Sequence, residues 1–388
     1  GKADGSSTIT YSGQSYYRDG GSGMCNYASS PTLTHVTISG NAAKYGGGIE
    51  NFSSSSPTLT NVTISGNTAI RRGGGMFIHE PSSTTLINVT ISGNTAGYGG
   101  GGIDNASSSS TTLTNVTISG NTAEYGGGMI NYSSSPTLTN VTISGNTAIR
   151  HGGGMYNSSS SPTLTNVTIS GNTAASNGGG IYNSSSSSPT ITNSLFWGNI
   201  KGTSSTIAGA DIDNSSSSTA TISYSLVQLA STSYTSGNNN LLTTNTNMVY
   251  ATDPSFVNAS DPDGADNVWM TGDDGLVLSS TSPGIGAGTS SSAPLYDITN
   301  KVRPTTPSIG AYEGKICKLS NNLPTVPATY TSSFTSADGS YTCYCDDNQN
   351  VILALDLNST GAVVPTTGVS LEIGATTTTS WSTAGGII

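Results

Sequence analysis

Short segments in which apolar residues alternate with threonine and serine return at nearly constant spacing along much of the chain. The segment Thr58–Ser65 reads Thr-Leu-Thr-Asn-Val-Thr-Ile-Ser. Alternation with a period of two predicts β-strands, and no helical period is present. The leucine of this segment recurs after 26, 27, 27, 25, 26, 27 and 31 residues, as Leu33, Leu59, Leu86, Leu113, Leu138, Leu164, Ile191 and Ile222. A period of this length predicts a solenoid in which each repeat forms one coil.

The direction of each side chain requires one bend in the segment. In a straight strand Leu59 and Val62 would face opposite sides, so we place a bend at Asn61, because asparagine tolerates left-handed backbone. Leu59, Val62 and Ile64 then face inward, together with one Met or Ile from a glycine run. The prediction is an all-β, three-sided parallel β-helix with coils about 4.8 Å apart. Recurring asparagines are predicted to form side-chain amide ladders, in columns that include Asn51, Asn61 and Asn67.

The coil sequence resembles bacterial secreted right-handed parallel β-helix proteins of the surface and adhesin type, which share the fold of pectate lyases. The resemblance rests on Thr58–Ser65 and its copies, on glycine runs followed by Ile-Tyr-Asn as at 181–183, and on closing motifs at 253–257, 282–288, 297–304 and 309–313. It covers about the first four fifths of the chain. It implies a right-handed β-helix and a secreted, extracellular or cell-surface location. It does not imply an activity, because one fold hosts many functions.

Four regions are predicted along the chain. Residues 1–24 form an N-terminal strand or cap, and residues 25–230 form about eight coils of the β-helix. Residues 231–314 supply its closing coils and cap, and residues 315–388 form a separate small β module. Alternating apolar residues, as in 351–357, predict the strands of this last region.

Composition excludes several classes of protein. The chain has 388 residues, with 8% charged and 33% hydrophobic residues, so its polarity comes from uncharged side chains rather than from the charges of a disordered acidic chain. With 11 Lys and Arg against 21 Asp and Glu, a net charge of −10 and no basic run, nucleic acid is not expected as a partner. No apolar stretch approaches 18 residues, so no transmembrane segment is expected.

The second residue after each glycine run varies most between coils and is predicted to face solvent. We interpret this column as a glycan-contact face, made of Glu50, Phe77, Asp104, Tyr156, Tyr182 and Asp213, with Ile130 between them. Glu50 and Asp104 are two coils apart, which is near the carboxylate spacing of inverting glycosidases. No outward lysine or arginine is expected beside them, so the pattern favours a non-enzymatic surface and leaves a polysaccharide lyase or hydrolase as an alternative.

The four cysteines are Cys25, Cys317, Cys343 and Cys345. Cys343 and Cys345 share one face of a strand, and either could pair with Cys317. Cys25 is expected to point outward from the first coil, where it could bond to another subunit. The alternative is one disulfide within the C-terminal module and two thiols that pair differently or not at all.

A loop rich in aspartate is the one candidate metal site. Asp261, Asp263 and Asp266 could offer oxygen ligands to Ca²⁺, although the bidentate glutamate of an EF-hand loop is missing and a solvated turn explains them as well. No other cofactor is expected. The three histidines fall in different registers of the repeat and predict no metal site.

These observations favour a non-enzymatic extracellular structural protein, a subunit of a head-to-tail filament, sheath or surface layer. Solenoids expose strand edges at ends that are not capped, so the first coil could accept a strand from another copy. The predicted subunit contacts are Val369, Leu371, Ile373, Trp381, Ile387 and Ile388. The alternatives are a monomeric glycan-binding adhesin and, because outward threonine pairs such as Thr58 and Thr60 recur, an ice-binding protein.

Overall fold

The computed structural model describes two compact units. The described residues are 7–11, 14–18, 23–215, 217–234, 242–314, 318–319, 332–335, 341–345 and 350–356. The larger unit comprises residues 1–276 and 283–313, and it contains the repeats. In the described chain every regular element is a strand, apart from a 3-10 turn at Ser231–Ser233.

Three parallel sheets make up the coils, and each of the first seven coils contributes to all three. Sheet 1 follows the glycine runs, with strands Met24–Tyr27, Ile49–Phe52, Met76–Ile78, Ile103–Ala106, Met129–Tyr132, Met155–Ser158, Ile181–Ser184 and Ile212–Asn214. Sheet 2 contains Thr32–Thr34, Thr37–Ser39, Thr58–Ser65, Ser83–Ser92, Ser110–Ser119, Thr137–Ser144, Thr163–Ser170, Thr190–Thr192, Leu195–Trp197, Ala220–Ser223, Leu226–Val227, Leu242–Thr246 and Val249–Tyr250. Sheet 3 contains Ala42–Tyr45, Thr68–Arg72, Thr95–Ala96, Thr122–Tyr125, Thr147–His151, Thr173–Ala174 and Ile200–Lys201.

The predicted β-solenoid of about eight coils is confirmed. Leu59 pairs with Leu86, Leu86 with Leu113, and Leu113 with Leu138, so one core position is stacked coil upon coil. The inward leucines, valines, isoleucines and methionines form one continuous buried cluster along the solenoid. Asn61 has a φ of 54°, and His35 has a φ of 56° at the same position of the first coil, which confirms the left-handed bend.

The hydrophobic pattern did not predict the strands of sheet 3. Six of its seven strands carry a single buried alanine, and Ala69, Ala96 and Ala123 form a second, narrow buried cluster. One alanine between polar residues gives too weak an alternation to indicate a strand. After leaving sheet 2, the chain therefore forms one more strand than expected, in sheet 3, before it reaches the next glycine run.

The asparagine ladders also form, and the innermost of them is the most extensively bonded. Asn121 Oδ1 accepts hydrogen bonds from the Asn94 backbone N–H (2.8 Å) and from Asn94 Nδ2 (3.0 Å). Its own Nδ2 donates to Asn146 Oδ1 (2.9 Å) and to the Ile91 carbonyl (3.0 Å). The same pattern links the buried column Asn41, Asn67, Asn94, Asn121, Asn146, Asn172 and Asn199.

A segment that follows the coils packs against the outside of sheet 2. The Ala311 N–H donates to Thr168 Oγ1 at 2.9 Å, and Asn140 Nδ2 donates to the Tyr296 carbonyl at 2.7 Å. The cover explains why Thr142 and Thr168, at outward positions, are buried. We call residues 283–313 the closing segment.

The remaining strands are short and belong to none of these sheets. Ser7–Tyr11 and Gln14–Arg18 form an antiparallel pair within the region predicted as an N-terminal strand or cap. In the second unit, Ser332–Thr335, Tyr341–Cys345 and Asn350–Asp356 pair antiparallel, and Lys318–Leu319 runs parallel to the last of them.

Candidate functional site

Two columns of outward side chains meet along the corner between sheets 3 and 1. The column on sheet 1 is the predicted one, and its strands pair in register from Glu50 to Asp213. The second column stands at the last position of sheet 3, just before each glycine run, and consists of Tyr45, Arg72, Gly99, Tyr125, His151 and Asn177. We call the two columns together the outer face.

The glycine runs bring the two columns into contact. Gly73 has a φ of 66°, and a Cβ on it would lie 2.5 Å from the Met76 carbonyl oxygen. Only glycine permits so tight a turn at this place. The turn places Arg72 over the ring of Phe77 in the adjacent column, with 5.3 Å from its guanidinium carbon to the ring centroid.

Rings of the first three coils form one stack. Phe77 lies between Tyr45, at 5.7 Å between ring centroids, and His79, at 4.2 Å. His79 also stacks on Phe52 at 5.4 Å, and its Nε2 lies 3.1 Å from Glu50 Oε1. Glu50 is therefore held against the stack by the imidazole.

A second ring cluster occupies the later coils. The ring of Tyr156 lies 5.2 Å from that of Tyr182 and 6.0 Å from that of Tyr125, and His151 lies 4.9 Å from Tyr182. Ser184 Oγ donates to the Tyr156 hydroxyl at 3.2 Å. All four rings are partly exposed, so the cluster presents ordered aromatic edges and faces to solvent.

Asp104 separates the two ring clusters and is completely buried. Its Oδ2 accepts a hydrogen bond from Arg72 Nε at 2.8 Å, and within the described residues its Oδ1 has no partner. Burial raises its pKa from 3.8 to about 7, although the Arg72 charge opposes the rise. Gly99 leaves the space for this carboxylate, since a Cβ there would lie 3.2 Å from Asp104 Oδ2.

The expected solvent exposure of the predicted column is therefore wrong for five members: Glu50, Phe77, Asp104, Ile130 and Asp213. The expectation that no basic side chain joins the acidic residues is also wrong, because Arg72 pairs with Asp104 and Lys201 Nζ pairs with Asp213 at 2.7 Å. Sheet 3 is the physical reason, since its last residues cover the column. Tyr156 and Tyr182 remain partly exposed.

The arrangement does not favour acid–base catalysis. A general acid or base must come within hydrogen-bond reach of the substrate. Asp104 is enclosed by Arg72 and its neighbours, and Glu50 is buried against His79. The partly exposed groups of the outer face are aromatic rings, the Arg72 guanidinium and the Asn177 amide, which are suited to binding.

Sequence reasoning missed Tyr45, Arg72, Tyr125 and His151. A signal was present, because each of them immediately precedes a glycine run. The signal could not be interpreted, because the strands of sheet 3 were not predicted. Without these strands, the direction of the four side chains was undefined.

The other predicted sites lie elsewhere. The structure does not bring Asp261, Asp263 and Asp266 together around one point, and no group of three or more His, Cys, Asp or Glu among the described residues could hold a metal ion. Asp266 Oδ1 instead accepts a hydrogen bond from the Val268 N–H at 2.8 Å. Calcium binding by this loop stays a prediction.

Of the four cysteines, only Cys25 has a described side chain, and it is exposed on the first strand of sheet 1. Cys343 and Cys345 lie on one strand, Tyr341–Cys345, whose side chains are not described. Cysteine pairing therefore stays a prediction. The following predicted residues lie outside the described chain: Cys317, Val369, Leu371, Ile373, Trp381, Ile387 and Ile388.

We expect stability to fall as pH rises, chiefly through Asp104. The folded chain binds its proton more tightly than the unfolded chain, in which the pKa is near 3.8, so the contribution is full below that value and is lost as pH passes about 7. At about 1.4 kcal/mol per pKa unit, the difference between the folded and unfolded pKa values of Asp104 corresponds to about 4 kcal/mol of unfolding free energy. Burial raises the pKa of Asp211 and Asp274 to about 6, which acts in the same direction.

Urea unfolding at pH 4 and pH 8 tests this expectation. D104N should reduce the loss of stability between the two pH values, while D263N, at a partly exposed carboxylate, should leave it unchanged. An equal loss in D104N and the unsubstituted chain would contradict the assignment to Asp104.

Comparison with known proteins agrees with this architecture. A family model described as a right-handed β-helix region matches residues 24–196 and 74–258, which together make up more than half of the chain. No curated protein matches the chain. Among the described residues, no helix has the length and apolar character needed to cross a membrane. With its stacked parallel coils and the extent of the match, the chain belongs to the right-handed β-helix family.

Proposed function

We propose that this protein is a non-enzymatic, extracellular or cell-surface glycan-binding protein, with the outer face as its binding surface. The observation that carries the proposal is the cluster of partly exposed rings around Tyr125, His151, Tyr156 and Tyr182. Aromatic rings offer flat apolar faces to the C–H groups of a sugar, and tyrosine adds a hydroxyl for hydrogen bonding.

The shape of the face suits a long ligand. Its columns run from coil to coil at about 4.8 Å per step, so a polysaccharide along the solenoid would meet a new side chain at each coil. The rings are already held by contacts with one another and by Ser184. A surface ordered before binding loses little conformational entropy when the ligand arrives.

The double variant Y156A/Y182A should lose at least about tenfold in affinity for any polysaccharide that the protein retains, because two adjacent ring faces are removed. Y296A is the matched control, since Tyr296 is an exposed tyrosine on the closing segment. Glycan-array binding followed by calorimetry measures the effect, and circular dichroism checks the fold. Unchanged binding by Y156A/Y182A would overturn the proposal.

We also propose that copies associate head to tail. Successive strands of sheet 2 repeat one register, as in Thr58, Thr85 and Thr112. A further coil from another copy would find the same geometry at Thr32–Thr34, which is the outermost strand of this sheet among the described residues. Contacts of this kind that do not close build filaments.

Negative-stain microscopy of the full chain, beside gels with and without reductant, tests this association. Filaments are expected, and loss of a ladder of bands in C25S would place a bond between copies at Cys25. Uniform monomers over a wide concentration range would contradict head-to-tail assembly.

A further inference from the structure

The basic residues of the coils are confined to one side of the solenoid. Between residues 23 and 230 all lysines and arginines belong to strands of sheet 3, namely Lys44, Arg71, Arg72, Arg150 and Lys201. The whole chain carries a net charge of −10. Sheet 3 is therefore a basic surface on an acidic protein.

The acidic residues of the same coils neutralise part of this surface, because Arg72 pairs with Asp104, Arg150 with Glu124 and Lys201 with Asp213. Glu50, Asp104, Asp211 and Asp213 are buried. Of the two others, Glu124 pairs with Arg150 at 2.8 Å, and Glu80 contacts His79 at 3.8 Å. In the pairs with Asp104 and Asp213 the carboxylate is buried and the basic side chain is about one quarter exposed, so solvent meets the basic partner of each pair.

A groove at the first three coils places Arg71 and part of the Arg72 guanidinium next to aromatic rings. It is lined by Tyr45, Arg71, Arg72, Phe77, His79 and Tyr98, and also by Glu50, whose carboxylate lies 3.1 Å from His79 Nε2. Arg71 is exposed and has no carboxylate partner among the described residues. Arg72 uses Nε for Asp104, and its guanidinium lies over Phe77. Gly97 carries no side chain that would fill the groove.

We infer that this groove binds an acidic residue of a polysaccharide, with Arg71 and the outer edge of Arg72 holding its carboxylate or sulfate and the neighbouring rings holding its apolar face. This inference rests on the proposed glycan binding and names the class of glycan. Guanidinium groups bind carboxylates and sulfates through paired, charge-assisted hydrogen bonds.

The spacing of the charges favours a polysaccharide over nucleic acid. A duplex presents a phosphate charge about every 1.7 Å, and its binding requires a dense row of cations. Here the cations alternate with apolar side chains such as Ile70, which is 73% exposed.

Binding of the full chain to two matched pairs of polymers tests the inference: alginate against carboxyl-reduced alginate, and dextran sulfate against dextran. We expect the acidic member of at least one pair to bind at least about tenfold more tightly, with an affinity that falls as salt is added. The pair that shows the difference tells whether carboxylate or sulfate is bound.

R71Q should lower the affinity for the acidic polymer about tenfold and leave neutral polymers unaffected. R150Q is the matched control, because Ile149-Arg150 repeats Ile70-Arg71 three coils later but Arg150 is already paired with Glu124. Equal binding of acidic and neutral polymers, equal effects of the two variants, or tighter binding of DNA would overturn the inference. Binding of neutral polymers alone would leave the proposed function standing, whereas retention of no polysaccharide would overturn both.

Discussion

Replacing Arg303 by methionine should lower the free energy of unfolding by about 3–5 kcal/mol, because it leaves a buried carboxylate without its counter-charge. Arg303 NH1 lies 3.0 Å from Glu313 Oε2, and each side chain is only 2% exposed. Burial lowers the pKa of Arg303, although the Glu313 charge opposes this change.

Arg303 also joins the closing segment to the coils. Its NH2 donates to Asn140 Oδ1 at 3.1 Å, to the Gly310 carbonyl at 3.0 Å and to the Ala311 carbonyl at 2.9 Å. Methionine fills part of the space but donates none of these bonds. We therefore expect the closing segment of R303M to separate from sheet 2 more readily.

Urea unfolding and limited proteolysis measure the two effects. R150M is the control, since Arg150 is 59% exposed and its ion pair should contribute less than about 1 kcal/mol. The double variant R303M/E313Q should recover part of the loss, because the carboxylate is then no longer charged. If R303M lowered the unfolding free energy by less than about 1 kcal/mol, the Arg303–Glu313 pair would not be what holds the closing segment on sheet 2.

The second large effect is expected for N121A, which should lower the free energy of unfolding by about 4 kcal/mol. The Asn121 amide serves the Asn94 backbone N–H, Asn94 Nδ2, the Ile91 carbonyl and Asn146 Oδ1. All of these lie in the buried interior, and each group left without a partner costs about 1–3 kcal/mol. Partial relaxation of the ladder keeps the total below the sum of the four.

N115G is the informative comparison in the same coil. Asn115 stands at the bend of its coil, as Asn61 does in an earlier coil, and has a φ of 53°. Its side chain makes ladder hydrogen bonds of 3.1 Å with Asn88 and Asn140 near the surface. Glycine keeps the left-handed backbone, and water can replace the amide, so the loss should stay near 1 kcal/mol. Equal losses of stability in N121A and N115G would show that burial does not decide the strength of a ladder.

The coil and its register could be predicted from the sequence, because the same alternation of apolar and polar residues recurs in every repeat. The stacked leucines and the bend at Asn61 follow from alternation and from one residue that tolerates positive φ. The strands of sheet 3 could not be read, because Ala69 and its equivalents are their only inward residues.

The candidate site was only partly predictable for the same reason. The column from Glu50 to Asp213 was recognised, but its burial depends on residues such as Arg72 that belong to the missed sheet. The contact between Arg303 and Asn140 joins residues 163 positions apart outside any repeat. No periodic signal can report such a contact.

The closing segment has a consequence for how proteins of this design can change in length during evolution. It bonds to one bend asparagine in each of three successive coils, through Asn140, Asn166 and Asn193. Loss or duplication of a coil among these three would move its partners out of reach. Gene segments that encode whole coils upstream of Asn140 can be gained or lost with every ladder kept in register, so we expect homologues to differ there, in steps of about 26 residues.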